Sequence, residues 1–489
     1  MSRHHSWIVA GLTVGLSLLG LGLESGRSPL HAAPLCPADL APAIDQILET
    51  QPAQRAQWGI LVAPLEGGEP LYGLDAERFF IPASNVKLLV TAAALTRFGA
   101  DYQVATTVYA EPSEGATVLR VVGQGDPSLT DASLQSLAQQ VQIQIPTQID
   151  RLIVDDTYFW GDAINPNWEW EDLQAGYGPP VNSLMLNLNE MRLNLVPQRV
   201  GQPLGVLFSI PGDGAVWQIQ NFSTTVSAGD ASERAWLVQD GQRQTLQVYG
   251  QLQSGSEPLE TAIAVPNPTE RFLRQFEVAL QQMGVTVQQT EIVSEPGQIG
   301  GAAIAQLPSP PFIDLIAEAN THSENLYAEA LLHHIGASLA RPQTSTLEAG
   351  LAGSEQILAT LGVAPDSVSL ADGSGLARKN LATPSAFVAT LQGMHRSSNA
   401  VAFRQSLAIA GSTGTLRNRF RDTPVQGRLY AKTGALSGVA ALSGYLDPPN
   451  HPPLAISILV NHFDQAVREI RPSMDEIVLR LADLQLCNT

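Results

Sequence analysis

Pro82-Ala83-Ser84-Asn85-Val86-Lys87-Leu88-Leu89-Val90-Thr91-Ala92-Ala93-Ala94-Leu95 opens a strongly helical run and sets a hydroxyl and an amine three residues apart near its start. On a helix that spacing puts both side chains on one face, so the lysine can reach the serine. A serine hydroxyl is a poor nucleophile until a base takes its proton, and a lysine desolvated in a cleft has its pKa lowered towards that role. Free N–H groups and positive partial charge at the helix start also favour an oxyanion. Alone, Ser-x-x-Lys carries little weight, because it arises by chance in long chains and a serine near a helix start is usually a cap.

Two further blocks follow in order. Ser323-Glu324-Asn325 opens a helix expected over 323–338, and by itself it is a capping sequence. Functionally, it would add a second hydroxyl to relay protons and an amide to orient lysine and substrate. Lys432-Thr433-Gly434 follows Leu429-Tyr430-Ala431, where a strand is expected. There Lys432 would hold the relay electrostatically, Thr433 would bond substrate, and Gly434 would let a peptide approach the strand edge. The bland alternative is a turn between strands.

Around these blocks the pattern alternates. Helical spacing is expected over 37–57, and Trp58 to Leu74 reads as a β-hairpin broken at Glu66-Gly67-Gly68-Glu69. Residues 99–299 are rich in short β-branched segments with Gly, Pro and Asn punctuation, interrupted by a helix near 270–284. After Pro311 helices return over 312–320, 347–361 and 384–395, then strands over 437–446 and 454–460, then an amphipathic helix over 465–486. The expectation is one α/β domain, 34–98 plus 300–489, split by a mainly β insertion of one or two subdomains. Its halves must meet for the motifs to meet.

The chain of 489 residues is long enough for two or more compact units. Asp plus Glu outnumber Lys plus Arg by 46 to 27, a net charge of -19, which argues against nucleic acid or an anionic membrane surface as partner. Residues 1–33 read as an export signal: Arg3, an apolar run from Trp7 to Leu23, then small residues at Ala32 and Ala33. A permanent anchor is the alternative, disfavoured by the Gly content of the run, and no other segment is apolar for long enough to span a bilayer. Export to the periplasm or the medium, with little or no membrane association after cleavage, is expected. The two cysteines, Cys36 and Cys487, stand at opposite ends of the mature chain. In an oxidising compartment a disulfide is expected, with two unpaired thiols as the alternative.

Order and surroundings decide among the readings of the three blocks. They match the Ser-x-x-Lys, Ser-x-Asn, Lys-Thr-Gly set of penicillin-binding proteins and serine β-lactamases. Further matches are Gly123-Gln-Gly-Asp126-Pro127, Asp372-Gly-Ser-Gly-Leu-x-Arg378-x-Asn380, Gly414-Thr415-Leu416, and the run from Lys432 to Tyr445. Nearly the whole mature chain resembles the low-molecular-mass penicillin-binding proteins (class C) of the D-alanyl-D-alanine carboxypeptidase/endopeptidase type, which carry a large insertion after the serine helix. The resemblance implies a β-lactamase/transpeptidase-like fold. It also implies hydrolysis of the D-Ala-D-Ala bond of peptidoglycan stem peptides and cross-links through an acyl-enzyme on Ser84, with β-lactams as inhibitors and no metal or organic cofactor.

By the same carry-over Lys87 is the acylation base, Ser323 and Lys432 move and steady the proton, Asn325 positions substrate, and the N–H groups of Ser84 and Ala435 form the oxyanion hole. A pocket for the amino end of the third stem residue would comprise Asp172, Tyr177, Arg378, Leu436 and Ser437. Two departures stand out. Glu324 fills a middle position that is often Asp, and Ala435 replaces a frequent hydroxyl residue, removing a side-chain contact to the substrate's terminal carboxylate.

Competing readings are a serine β-lactamase, for which no deacylating base block is found, and a non-catalytic wall-binding protein, which would have no physical need for all five polar residues. A Ser-His-Asp hydrolase is disfavoured because Gly-x-Ser-x-Gly is absent, and zinc is disfavoured because adjacent His333 and His334 cannot share one helix face.

Overall fold

The strands that carry the core are apolar on both sides. Val439–Leu446 and Leu454–Asn461 are buried at all eight positions, as befits central strands covered on two faces. They sit in a six-stranded antiparallel sheet ordered Ala408–Ile409, Leu429–Leu436, Val439–Leu446, Leu454–Asn461, Gln57–Pro64, Tyr72–Leu74. The first hairpin therefore pairs with the last long strand, in the register Trp58 to Val460 and Val62 to Ile456. The protein's structure, a computed structural model, describes residues 35–487 apart from 146, 230–233, 241–242, 294 and 340–343. The expected export signal lies outside the described residues.

Alternate side chains of this sheet feed two cores. Leu61, Ala63, Ala441 and Leu459 pack under the serine helix Val86–Phe98, whose Ala92-Ala93-Ala94 run lets neighbouring helices approach closely. Ile60, Val62, Leu442 and Ile458 pack under Leu40–Leu48 and the final helix Val467–Ala482. Cys36 and Cys487 form a disulfide, beside a short parallel bridge between Leu35 and Leu484.

The inserted segment carries a long helix, Asp131–Gln144, beyond the one expected near 270–284. Its largest sheet runs Thr286–Val293, Gln148–Asp155, Val118–Val122, Ala105–Glu111, Ala302–Pro308, and two helices, Asp131–Gln144 and Pro268–Gln282, pack on it. The strand Ala302–Pro308 pairs with Ala105–Glu111, so the sheet extends past the boundary expected at 299. The helix Asp131–Gln144 was not expected among β-branched neighbours. It buries Leu134, Leu137, Ala138 and Val141 on one stripe and is capped by Thr130. A separate core, with Leu193, Leu195, Trp217, Leu246 and Val248, joins the smaller sheets of residues 190–264.

Candidate active site

Ser84 sits in the 3-10 turn Ala83–Asn85 that leads into the serine helix. Two glycines make room for this turn. A Cβ on Gly375 would lie 2.0 Å from the Ala83 carbonyl oxygen, and one on Gly434 would lie 2.7 Å from the Pro82 carbonyl oxygen and 3.1 Å from the Ser84 nitrogen. Buried Asn85 donates from Nδ2 to Ser443 Oγ at 2.8 Å, pinning the turn to a central strand.

One turn after Ser84, Lys87 is fully buried, and its Nζ donates to Ser84 Oγ at 3.1 Å, Asn325 Oδ1 at 2.7 Å and the Ser374 carbonyl oxygen at 2.6 Å. Burial lowers its pKa from the ordinary 10.5 to about 8, against the raising influence of Asp372, Glu329 and Glu324. A fraction of the amine is therefore neutral near neutral pH, as a base needs.

The second block departs from expectation. Ser323 does not begin the helix but lies left-handed at φ 66°, directly after the π-helical turn Glu318–His322, and the helix proper is Asn325–Ala337. A non-glycine residue held left-handed costs on the order of 1 kcal/mol or more. With that turn in place, Lys432 Nζ reaches Ser323 Oγ at 2.8 Å and the Thr433 carbonyl oxygen at 2.9 Å. Burial, and secondarily the charge of Lys87, push the Lys432 pKa well below its ordinary value. Ser84, Lys87, Ser323, Asn325 and Lys432 thus converge.

Thr433, Gly434 and Ala435 lie on the strand Leu429–Leu436, whose outer neighbour Ala408–Ile409 pairs only with Tyr430 and Ala431. Among the described residues, that edge has no strand partner from Lys432 onward. A cavity of about 270 Å³ opens there, lined by Ser84, Ser323, Thr415, Thr433, Gly434 and Ala435 among others. The Thr433 hydroxyl donates to Thr415 Oγ1 at 2.8 Å.

The residues expected to form the amine pocket also gather. Tyr177 donates from its hydroxyl to Asp172 Oδ1 at 3.1 Å, and its carbonyl oxygen accepts from Asn325 Nδ2 at 2.8 Å. Burial raises the Asp172 carboxyl above the usual range, and burial with Asp172 beside it pushes the Tyr177 phenol up to about 12. Arg378 donates to the Ser437 carbonyl oxygen at 3.0 Å and lies 3.4 Å from Glu169. Leu436 packs on the cluster that holds Trp168 and Leu173.

Two supporting groups, the Glu329 carboxyl and the Ser374 carbonyl, carried no signal read in the sequence. Glu329, fully buried one turn after Asn325, accepts from the Gly373 and Ser374 N–H groups at 3.0 and 2.8 Å. Burial next to Asp372 raises its pKa. Asp372 accepts from the Gly375 and Ala377 N–H groups, Asn380 Nδ2 and Trp168 Nε1. Together they present the Ser374 carbonyl to Lys87. The buried histidines serve packing: His334 bonds the Gly125 carbonyl at 2.9 Å and His333 bonds Thr346 at 2.8 Å. Among the described residues no cluster of His, Cys, Asp and Glu is placed to hold a metal ion.

Comparison with known proteins follows the same lines. The model of the D-Ala-D-Ala carboxypeptidase 3 (S13) family matches residues 40–481. A D-alanyl-D-alanine carboxypeptidase of Actinomadura sp. is 33% identical over 466 residues, covering 91% of this chain and 85% of its own. The penicillin-sensitive carboxypeptidase A of Dictyostelium discoideum is 28% identical over 458 residues, covering 87% of each. Penicillin-binding protein 4 of Haemophilus influenzae superposes with a TM-score of 0.79 at 22% identity, covering 90% of this chain and 98% of that one, a likeness of fold. The fold that the motif resemblance implied is the fold observed.

Proposed function

The chain belongs to the D-Ala-D-Ala carboxypeptidase 3 (S13) family, and from that membership we propose how its residues divide the chemistry. It is a serine-type D-Ala-D-Ala carboxypeptidase/endopeptidase. Its substrates are peptidoglycan stem peptides and their cross-links, and β-lactams acylate the same serine. The observation that carries this division is the buried Lys87 amine, 3.1 Å from Ser84 Oγ and lowered to about 8.

A substrate peptide lies along the free edge at Thr433 and Gly434 as an added strand. Neutral Lys87 takes the Ser84 proton as Oγ attacks the carbonyl carbon of the penultimate D-alanine. The N–H groups of Ser84 and Ala435 hold the oxyanion. Collapse breaks the C–N bond, and the leaving amine receives the proton carried by Lys87 through Ser323, whose hydroxyl Lys432 steadies. Water then attacks the ester, its hydroxyl joining the acyl group and its proton restoring Ser84. Asp172 and Tyr177, with Arg378, Leu436 and Ser437 around them, receive the amino end of the third stem residue.

Peptidoglycan lies outside the cytoplasm, and the leader of residues 1–33 together with the disulfide supports export to the periplasm or medium. Among the described residues no helix is long and apolar enough to cross a membrane. Fluorescent penicillin should label the wild-type chain and not Ser84→Ala, and mass spectrometry of treated muropeptides should show loss of terminal D-alanine or splitting of dimers. Equal labelling of both proteins, or muropeptides left unaltered, would refute the reading.

A further inference from the structure

The cavity beside Ser84 has a second wall that none of the motifs supplies. Val467, Arg471 and Met474 face it from the final helix, spaced so that one stripe of that helix lines the cleft, and Arg419 enters from the segment after Thr415. Arg419 is committed: its Nε and Nη2 both donate to Asp475 Oδ1, the former at 3.1 Å. Arg471 is exposed to the cleft and enters no ion pair among the described residues. Two guanidiniums therefore line this cavity, and Asp475, the carboxylate that holds one of them, is not among the lining residues, in a chain whose overall charge is -19. An uncompensated guanidinium beside the nucleophile of an acidic protein is a receptor for an anion.

Direction follows from what else lines the cleft. Asp172, Tyr177 and Arg378 are not among its lining residues, so these members of the amine pocket lie outside the cavity that the arginines line. The amine pocket belongs to the acyl side of the scissile bond, which leaves the arginine wall for the departing residue. Ala435, on the facing strand, offers no side-chain donor, although Thr415 and Thr433 offer hydroxyls that bond one another at 2.8 Å. We propose that Arg471 binds the C-terminal carboxylate of the leaving D-alanine, with Arg419 on the same cavity held by Asp475, and so supplies the contact that a hydroxyl residue at position 435 would have made. This inference rests on the peptidase reading above. It makes Arg471 a determinant of preference for free C-termini and leaves proton transfer to Lys87 and Ser323.

The test compares a stem-peptide analogue ending in D-Ala-D-Ala as the free acid with the same peptide as its C-terminal amide. Wild-type kcat/KM should favour the acid by about 10- to 100-fold, the worth of one charge-assisted contact. Arg471→Ala should bring the acid-to-amide ratio near one, and Arg471→Lys should keep part of the preference. Because Arg471 is exposed, both variants should melt like the wild type. A wild-type ratio near one, or an Arg471→Ala ratio equal to that of the wild type, overturns the subsite while leaving the peptidase reading intact. A wild-type chain that cleaves neither peptide and takes no penicillin on Ser84 overturns the peptidase reading, and the subsite with it.

Discussion

Asn325 bridges the base and the insertion: its Oδ1 accepts from Lys87 Nζ at 2.7 Å while its Nδ2 donates to the Tyr177 carbonyl oxygen at 2.8 Å. The amide holds Lys87 without adding charge, which leaves burial free to depress the amine. Asn325→Asp would set a carboxylate against the ammonium and favour the protonated form. The limb of the pH–rate profile set by Lys87 should move up by about one unit or more, with a lower rate at pH 7. An unmoved limb would show that Lys87 does not set it.

The wild-type profile follows from the sign of the Lys87 shift. In the role proposed for it the Lys87 amine acts when neutral, and burial brings its pKa down to about 8, so kcat/KM for acylation should rise as pH climbs through about 8 and then level. Lys87→Ala should slow acylation by about 100- to 10,000-fold, the usual worth of a positioned base. Stopped-flow acylation by a chromogenic β-lactam between pH 6 and 10 measures both.

Gly434→Ala tests the closeness of strand and nucleophile. The added Cβ would meet the Pro82 carbonyl oxygen at 2.7 Å and the Ser84 nitrogen at 3.1 Å, both backbone atoms that cannot rotate away. Overpacking of this kind costs about 1–3 kcal/mol. The variant should melt at a lower temperature and acylate at least about tenfold more slowly, since the displaced N–H belongs to the proposed oxyanion hole. Wild-type acylation would mean that the turn has slack the distances deny.

What the sequence disclosed was chemistry carried by side chains in short motifs. Ser84 and Lys87 could be paired from helical spacing alone, because three residues fix a shared face. That Ser323 and Lys432 would meet came only from resemblance, since contacts across long separations leave no local trace. Ser323 was expected to start a helix because Ser-x-Asn usually caps one. The left-handed turn after Glu318–His322 is a tertiary outcome, stabilised by the contact with Lys432. The Ser374 carbonyl was illegible for a simpler reason, that a backbone acceptor has no residue type. Glu329 looked like any helical glutamate, and its role appears only when the Gly373 and Ser374 N–H groups arrive from the later loop. The helix Asp131–Gln144 did carry a signal, in Leu134, Leu137, Ala138 and Val141, masked by the strands on either side.

Asp172 should act as a specificity residue. It accepts the Tyr177 hydroxyl, while the nearby Arg378 is occupied by Ser437 and Glu169, so its carboxylate remains available to a substrate ammonium. Asp172→Ala should lower kcat/KM for stem peptides with a free amine on the third residue by about 10- to 100-fold, and should have little effect once that amine is acetylated. Equal losses on both peptides would mark a structural role instead.

The Cys36–Cys487 bond spans 451 positions of sequence, yet it closes a junction that hydrogen bonds already hold: Leu35 N–H to the Asp483 carbonyl at 2.9 Å and Gln485 N–H to the Leu35 carbonyl at 3.0 Å. In the folded state the crosslink therefore adds little new contact. Its effect falls on the unfolded chain, whose ends it denies most of their separations, and such bonds contribute about 2–4 kcal/mol. Cys36→Ser should lower the unfolding free energy by about that amount with the active-site geometry retained, because the leading helix Leu40–Leu48 packs on the sheet face opposite the serine helix. Denaturation with and without reductant gives the comparison. Two reactive thiols in the denatured, unreduced wild-type protein would show that the bond does not form, and the stability difference should then vanish as well.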